Sequence, residues 1–376
     1  MAHAPPALDA EEGARSSRVL DLLRTAAQDS DFLPFDRFME IALYAEEVGF
    51  YHRRRSPLGT AGDFYTAAHV HPLFGATLAA RIREVRAGVG TTGSFRVVEL
   101  GPGDGTLAAT VVSALRDDAP GIEYVLVERS STRATEAAER AHAAAGSIPI
   151  RSSDSVGALG PFVGVVVANE FLDAQPARRL RWDGTAWHEL GVRVRDGRLE
   201  AVEADFARRV PGPALPVPEE PDVVLEVSPA AEGLVREVAD HLSAGAALFI
   251  DYGLEEPELL RGHPRGTFSA VRDHRFLSDP LAAPGTADLS TFVNFTRIRA
   301  VANRSGLTEV AFRSQAEALG AWGFPALLDE AVRAAETPEA GVRVRLAAKN
   351  LLFGFDRFRV LELAPPGRAG GTGTPT

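Results

Sequence analysis

The sequence predicts an α/β protein: a mostly parallel, Rossmann-like sheet with a helical preamble before it and a β-meander inserted into it. Three observations predict that class. Short apolar runs that stop abruptly at polar or acidic residues recur at 95–100, 124–128, 162–169 and 246–251. Runs of this kind, β-branched and without strict alternation, suit strands buried on both faces. The first of them leads through Gly101, Gly103 and Gly105 into a helical pattern, the strand–loop–helix order of a ligand-binding crossover. Finally, Asp183-Gly184 and Asp196-Gly197 separate three short alternating stretches, which is hairpin chemistry.

Composition narrows the class. The 376 residues, 45% hydrophobic, are enough for one elaborated domain or two modest ones. A net charge of −11 argues against a nucleic-acid surface, which is built from Lys and Arg. The absence of cysteine excludes disulfides and thiolate metal sites. No apolar run approaches the length of a membrane span, and the first fifteen residues lack the basic start and apolar core of a secretory signal. The expectation is a soluble, cytoplasmic protein; no residue pattern sets an oligomeric state.

In chain order, residues 1–17 and 364–376 are poor in large apolar side chains and are expected to be disordered. Residues 18–90 form N-terminal helices and a loop. Val19, Leu22 and Leu23, then Phe38, Ile41 and Ala42, recur at helical spacing, with Pro34 placed to begin the second helix. Residues 49–66 read as an exposed ordered loop carrying Arg53, Arg54 and Arg55, either a solvated charge cluster or a site for a phosphate or an acidic partner. A helix over 72–85 turns Phe74, Leu78 and Ile82 to the core.

The core extends over 91–363. Residues 131–145, rich in Ala and charge, have little apolar face and are expected to lie outside. Strands follow at 148–154 and 162–169, then the meander over 177–203, a Pro-rich connection over 211–221, a helix over 229–242 and a strand over 246–253. Residues 262–295 form a long Pro/Gly-punctuated loop, and loops of that size are usually functional. Helices at 296–305 and 314–319 flank a strand at 307–312. A helix at 326–335 and a strand at 358–363 complete the fold.

The glycines run G-x-G-x-G, without the third glycine three positions after the second that a dinucleotide site requires, and Glu99 stands just ahead of them. A carboxylate there repels a pyrophosphate and attracts a cation. S-adenosylmethionine, with its sulfonium and ammonium, fits better than NAD. Glu128 ends the next strand, 29 residues on, where it can accept two hydrogen bonds from a ribose diol. Asp154 is a candidate partner for the adenine amino group. Asn169, Glu170 and Asp173 follow the fourth strand and fall at the carboxyl ends, where α/β sheets bind ligands. His69 and His71 alternate too closely to share a helical face and have no acid nearby in sequence, so no metal site is predicted.

Taken with Gly62-Asp-Phe-x-Thr66, Leu73-Phe-Gly75, Asn169-Glu-Phe-x-Asp173 and Asp279-Pro-Leu-x-x-Pro-Gly-x-x-Asp-Leu289, the chain resembles the MidA family of class I S-adenosylmethionine-dependent methyltransferases. Its mitochondrial member methylates an arginine of a respiratory complex I subunit. The resemblance covers about 33–363. It implies a class I methyltransferase core in which Gly62, Asp63 and Thr66 help close the cofactor site and Asn169 to Asp173 border the methyl-accepting group. It also implies a protein substrate bearing an arginine. Glu170 and Asp173 could grip a guanidinium from two sides if the chain turns into a helix at Phe171; alternatively they cap that helix. The chain departs from the family pattern at His69, where an acid is expected, and at Phe292 and Asn294, where a His and an Asp are expected. Two other readings are a methyltransferase for a small molecule's nitrogen or oxygen, and a non-catalytic assembly factor that binds a protein through the meander. Intact glycines with Glu99 and Glu128 favour an enzyme.

Overall fold

The structure, a computed structural model, describes residues 8–28, 30–52, 66–91, 93–118, 120–204 and 209–366. The chain divides into two compact units. One comprises 65–172, 234–252 and 299–376, the other 1–64, 173–233 and 253–298. This differs from the predicted division at residue 90. The helix Leu73–Val89 belongs with the sheet, because Phe74, Leu78 and Ile82 are completely buried in the sheet's own apolar cluster.

The sheet unit is built on seven strands: β1 (Phe95–Leu100), β2 (Ile122–Val127), β3 (Ile150–Ser153), β4 (Phe162–Asn169), β5 (Leu242–Leu254), β6 (Thr308–Ser314) and β7 (Phe358–Ala364). Their spatial order is β3-β2-β1-β4-β5-β7-β6. All neighbours run parallel except β7, which is antiparallel to both β5 and β6. Chain order reverses between β1 and β4, the switch point at which α/β sheets bind ligands. Register fixes what emerges there: Leu100 lies opposite Val127 in β2 and Ala168 in β4. Gly101, Glu128 and Asn169 therefore follow at one edge.

The helix Ser131–Ala145 lies on the outside, as its charge suggested, with most of its residues exposed, yet it has a face to bury. It buries Ala134, Ala137, Ala141 and Ala145. A Cβ on Gly105 would fall 2.7 Å from the Ala137 Cα; an alanine stripe lets backbones approach where larger side chains would not. A further helix, Pro338–Phe353, was not predicted. Its start is encoded conventionally, by the Thr337 side chain accepting from the Ala340 N–H and by Pro338 in the first turn.

The other unit holds the helices Ala10–Ala27 and Phe35–Tyr44 and the strands Leu33–Pro34, Arg178–Trp182, Trp187–Arg195, Arg198–Glu203 and Val223–Val227. The N-terminal stretch is thus helical from Ala10, not disordered to residue 17. Asp9 and Glu12 form a reciprocal capping box, and Val19 and Leu23 are fully buried, so the helix has both a start signal and a face to bury. Residues 1–7 and 367–376 lie outside the described residues. Asp196 and Gly197 make a two-residue hairpin, with φ of 48° and 72°. The other hairpin has a four-residue loop instead, in which Asp183 accepts from the Thr185 and Ala186 N–H groups.

The long segment after residue 262 is not a structureless loop. Ser269–Arg272 pairs with Arg275–Phe276 and Asp288–Ser290 in a small antiparallel sheet. The Pro-rich connection is tied down by buried arginines. Arg178 pairs with Glu189 at 2.8 Å and donates to the Arg209 carbonyl, while Arg297 pairs with Glu232 at 2.9 Å and donates to the Pro213 carbonyl. Among the described residues, no helix is long and apolar enough to cross a membrane.

Candidate functional site

Past β1 the backbone turns through positive φ at Gly101 (64°), Gly103 (57°) and Gly105 (79°), conformations that side chains rarely adopt. Gly101 also yields space: a Cβ there would lie 2.2 Å from the Phe171 ring. Its N–H donates to the Val127 carbonyl, joining the loop to β2. Asp104, one residue before the N-cap Gly105 of the helix Thr106–Ala114, accepts from the Thr106 N–H and hydroxyl at 3.0 Å each.

Glu99 does not stand open at the strand end. It is 2% exposed and accepts a 2.7 Å hydrogen bond from the Tyr124 hydroxyl. Burial pushes its carboxyl up to about 7, against the lowering effect of the Tyr124 bond and with a smaller raising contribution from Asp104. Glu128 is half-buried; its carboxylate accepts from the Ser130 N–H at 2.9 Å, and its own N–H bonds to the Ser153 carbonyl of β3. Asp154, one residue on, is exposed and accepts from the Ser155 hydroxyl.

At the end of β4, Asn169 donates to Glu170 Oε1 at 3.3 Å. That bond orients the amide, because its oxygen would repel the carboxylate. The Asn169 Oδ1 is then a buried acceptor with no hydrogen-bond partner among the described residues. Glu170 has φ of 51°, and its Oε1 also accepts the Ala67 N–H at 3.0 Å. No helix begins at Phe171, so both helix-based arrangements of Glu170 and Asp173 are corrected. The physical reason is Asp251. Fully buried, it accepts the Phe171 and Leu172 N–H groups at 3.0 and 2.8 Å, which gives these donors a partner without a helix.

Asp173 falls in the other unit. There the Thr291 N–H donates to its carbonyl. Burial first, then the negative charge of Asp288 with smaller effects of Tyr44 and Asp173, raises the Tyr51 hydroxyl well above its ordinary value. Within its own unit Asp173 thus lies in electrostatic reach of Tyr51. Gly62, Asp63 and the three consecutive arginines lie outside the described residues. The Phe292 ring lies 5.0 Å from that of His263, tilted by 60°, and Asn294 donates to Glu256.

His69 has an acid neighbour after all, though not in sequence. Its Nε2 is 3.3 Å from Asp104 Oδ2. Sequence reasoning missed this residue although it stands between Gly103 and Gly105; its place inside the glycine run was the available signal. Among the described residues no cluster of three or more His, Asp or Glu could hold a metal. A surface depression lined by Ser94, Gly121, Glu123 and Pro149 sits at the opposite ends of β1–β3 and touches none of these groups.

The strand order, the glycine loop after β1 and the acids ending β1 and following β2 define a class I methyltransferase core. A family model described as "Putative S-adenosyl-L-methionine-dependent methyltransferase" matches residues 77–312. The mitochondrial protein arginine methyltransferase NDUFAF7 homolog of Drosophila melanogaster is 28% identical over 312 residues, 76% of this chain and 70% of that one. The human mitochondrial protein arginine methyltransferase NDUFAF7 is 29% identical over 280 residues, 67% of this chain and 62% of that one. A Burkholderia thailandensis protein solved with S-adenosyl-homocysteine bound superposes with a TM-score of 0.85 at 29% identity, covering 96% of this chain and 95% of that one. The chain belongs to this family of S-adenosyl-L-methionine-dependent methyltransferases, and S-adenosyl-L-methionine is its cofactor. The residues present suit that group. A buried Glu99, whose carboxyl burial raises to about 7, is suited to becoming an anion beside a cation.

Proposed function

We propose that this protein methylates an arginine side chain of a protein substrate and does so in the cytoplasm. The observation that carries the acceptor is the chemistry of the β4 end. The Asn169 Oδ1 and the Glu170 carboxylate are acceptors only, and a guanidinium is a donor-only fork. The relatives named protein arginine methyltransferase support the same reading.

When bound, S-adenosyl-L-methionine supplies an electrophilic methyl group on a sulfonium. Glu99 neutralises positive charge beside the glycine loop, where Gly101, Gly103 and Gly105 leave room for the cofactor. Glu128 accepts from the ribose hydroxyls. Asp154, beyond β3, receives the adenine amino group. Thr66 helps close the site. Glu170 orients the guanidinium and draws its charge away from the attacking nitrogen, and Asn169 fixes the fork through its Oδ1. Such catalysis is alignment in a water-poor site more than acid–base work.

A proteome incubated with the enzyme and isotope-labelled cofactor, then digested and sequenced by mass spectrometry, tests the acceptor: label is expected on arginine. Label confined to hydroxyls or to small molecules rejects the reading. Glu170→Gln is expected to keep cofactor affinity and lose most methyl transfer. Transfer at the wild-type rate would remove the ground for preferring arginine. Cell fractionation of the tagged chain tests the compartment, and recovery outside the cytoplasm overturns it.

A further inference from the structure

Thr66, His69 and Asp104 form a chain of hydrogen bonds in the sheet unit. Thr66 Oγ1 is 2.8 Å from His69 Nδ1, and His69 Nε2 is 3.3 Å from Asp104 Oδ2. The groups are largely withdrawn from solvent: Thr66 is 8% exposed, and the His69 and Asp104 side chains 10% and 13%. Burial alone would raise the Asp104 carboxyl, but bonds from His69 and Thr106 hold it well below the usual carboxylate range. It is therefore an anion, and the imidazole nitrogen facing it must carry the proton. In the neutral ring Nδ1 is then an acceptor, and the Thr66 hydroxyl donates to it.

The Thr66 hydroxyl has an alternative that it does not use. Thr66 is the N-cap residue of the short helix Ala67–Val70, yet its side chain makes no capping bond, the contact that a threonine at this position ordinarily supplies. The hydroxyl is turned to the imidazole instead, and the Ala67 N–H is satisfied by Glu170 Oε1. Residues 66–69 thus touch both halves of the candidate site: Glu170 beyond β4 through Ala67, and the glycine loop through His69. Asp104 is anchored in turn by Arg140 Nη1 at 2.7 Å and by Thr106.

We propose that His69 is a positioning residue of the cofactor site: its imidazole couples Thr66 to Asp104, so that the segment entering at Thr66 and the glycine loop hold one geometry. The proposal rests on the reading that the cofactor lies against the glycine loop. Two isosteres separate the halves of the relay. In His69→Gln the side-chain amide takes the place of Nε2 and keeps a donor to Asp104. In His69→Asn it takes the place of Nδ1 and keeps only the Thr66 contact.

The test is calorimetric titration of S-adenosylhomocysteine into the full chain and into His69→Gln, His69→Asn, His69→Ala and Glu128→Ala, with thermal melts to establish that each is folded. His69→Ala and His69→Asn are expected to bind about ten-fold more weakly, and His69→Gln to recover most of that loss. Binding of all three His69 variants at wild-type affinity overturns the proposal. An equal loss in all three also overturns it, since packing without the Asp104 bond would then be the whole effect. Glu128→Ala distinguishes the two layers: unchanged affinity there discards the cofactor placement, whereas a loss there with none at His69 discards the relay alone.

Discussion

The two units use charge in opposite ways. In the sheet unit the core cluster is apolar throughout, and Glu99, Asp104, Glu128 and Glu170 gather at one edge, while the buried Glu362 is paired with Arg81 elsewhere in the unit. In the other unit charge is inside. Arg178–Glu189 and Arg297–Glu232 are ion pairs in which every side chain is at most 3% exposed, and the same arginines reach the carbonyls of 209 and 213. Regular strands satisfy their own backbones, so the sheet can leave its polar groups for a ligand. An irregular Pro-rich connection cannot, and buried arginines bring it the donors that it lacks.

The comparison breaks most visibly at the buried pairs. Glu189→Ala leaves the Arg178 guanidinium without its carboxylate and is expected to cost about 3–5 kcal/mol, whereas Arg178→Met with Glu189→Leu together is expected to cost less, the remaining loss being that of the donor to the Arg209 carbonyl. Denaturant unfolding followed by tryptophan fluorescence measures both, Trp182 and Trp187 lying in the same sheet. Equal losses in the single and double variants would mean that the pair does not act as a unit.

Glu99 gives the matching experiment in the sheet unit. With the folded carboxyl raised from 4.5 to about 7, the unfolded chain gives up its proton first as pH rises. Without cofactor, the proton-linked stability is fully present below about pH 4.5 and is lost as pH climbs through 7, by about 3 kcal/mol in all. Glu99→Gln is expected to remove that slope. A slope that persists in the variant would place its origin elsewhere.

Smaller again is Glu128→Ala, expected to weaken S-adenosylmethionine by about 1.5–3 kcal/mol, roughly ten- to a hundred-fold. Unchanged affinity would show that the acid beyond β2 is only a turn residue bonded to Ser130. The smallest effect is expected at the edge of the other unit, where Asp9→Ala removes one half of a capping box and should lower stability by about 1 kcal/mol. A larger loss in thermal melts would mean that this helix carries more of its unit than its cap suggests.

Short-range pattern made much of this legible. The strand ends at Leu100, Val127 and Asn169 follow from β-branched runs that stop at polar residues, and the Asp196-Gly197 hairpin follows from its dipeptide. Partners far apart in sequence were not legible. Asp251 meets Phe171 from 80 positions away, and His69 meets Asp104 from 35. Those two pairings decide whether a helix follows β4 and whether an acid stands near His69. Local composition also misled where packing overrode it. Ser131–Ala145 has no large apolar side chain and yet packs against Gly105, and the residues before Ser17 form a helix because Val19 and Leu23 beyond them are buried.

The place of β7 carries a consequence for how the protein is made. It enters the sheet between β5 and β6, although it follows both in the chain. Until residues 358–364 have left the ribosome, β5 and β6 have no strand between them, and each presents an open edge able to pair with another nascent chain. The sheet is therefore sealed by the piece synthesised last among its strands. A premature stop shortly before Phe358 would spare the glycine loop and every proposed cofactor contact, yet release a product with two unsealed strands, one for chaperones and proteases to clear rather than a weakened enzyme.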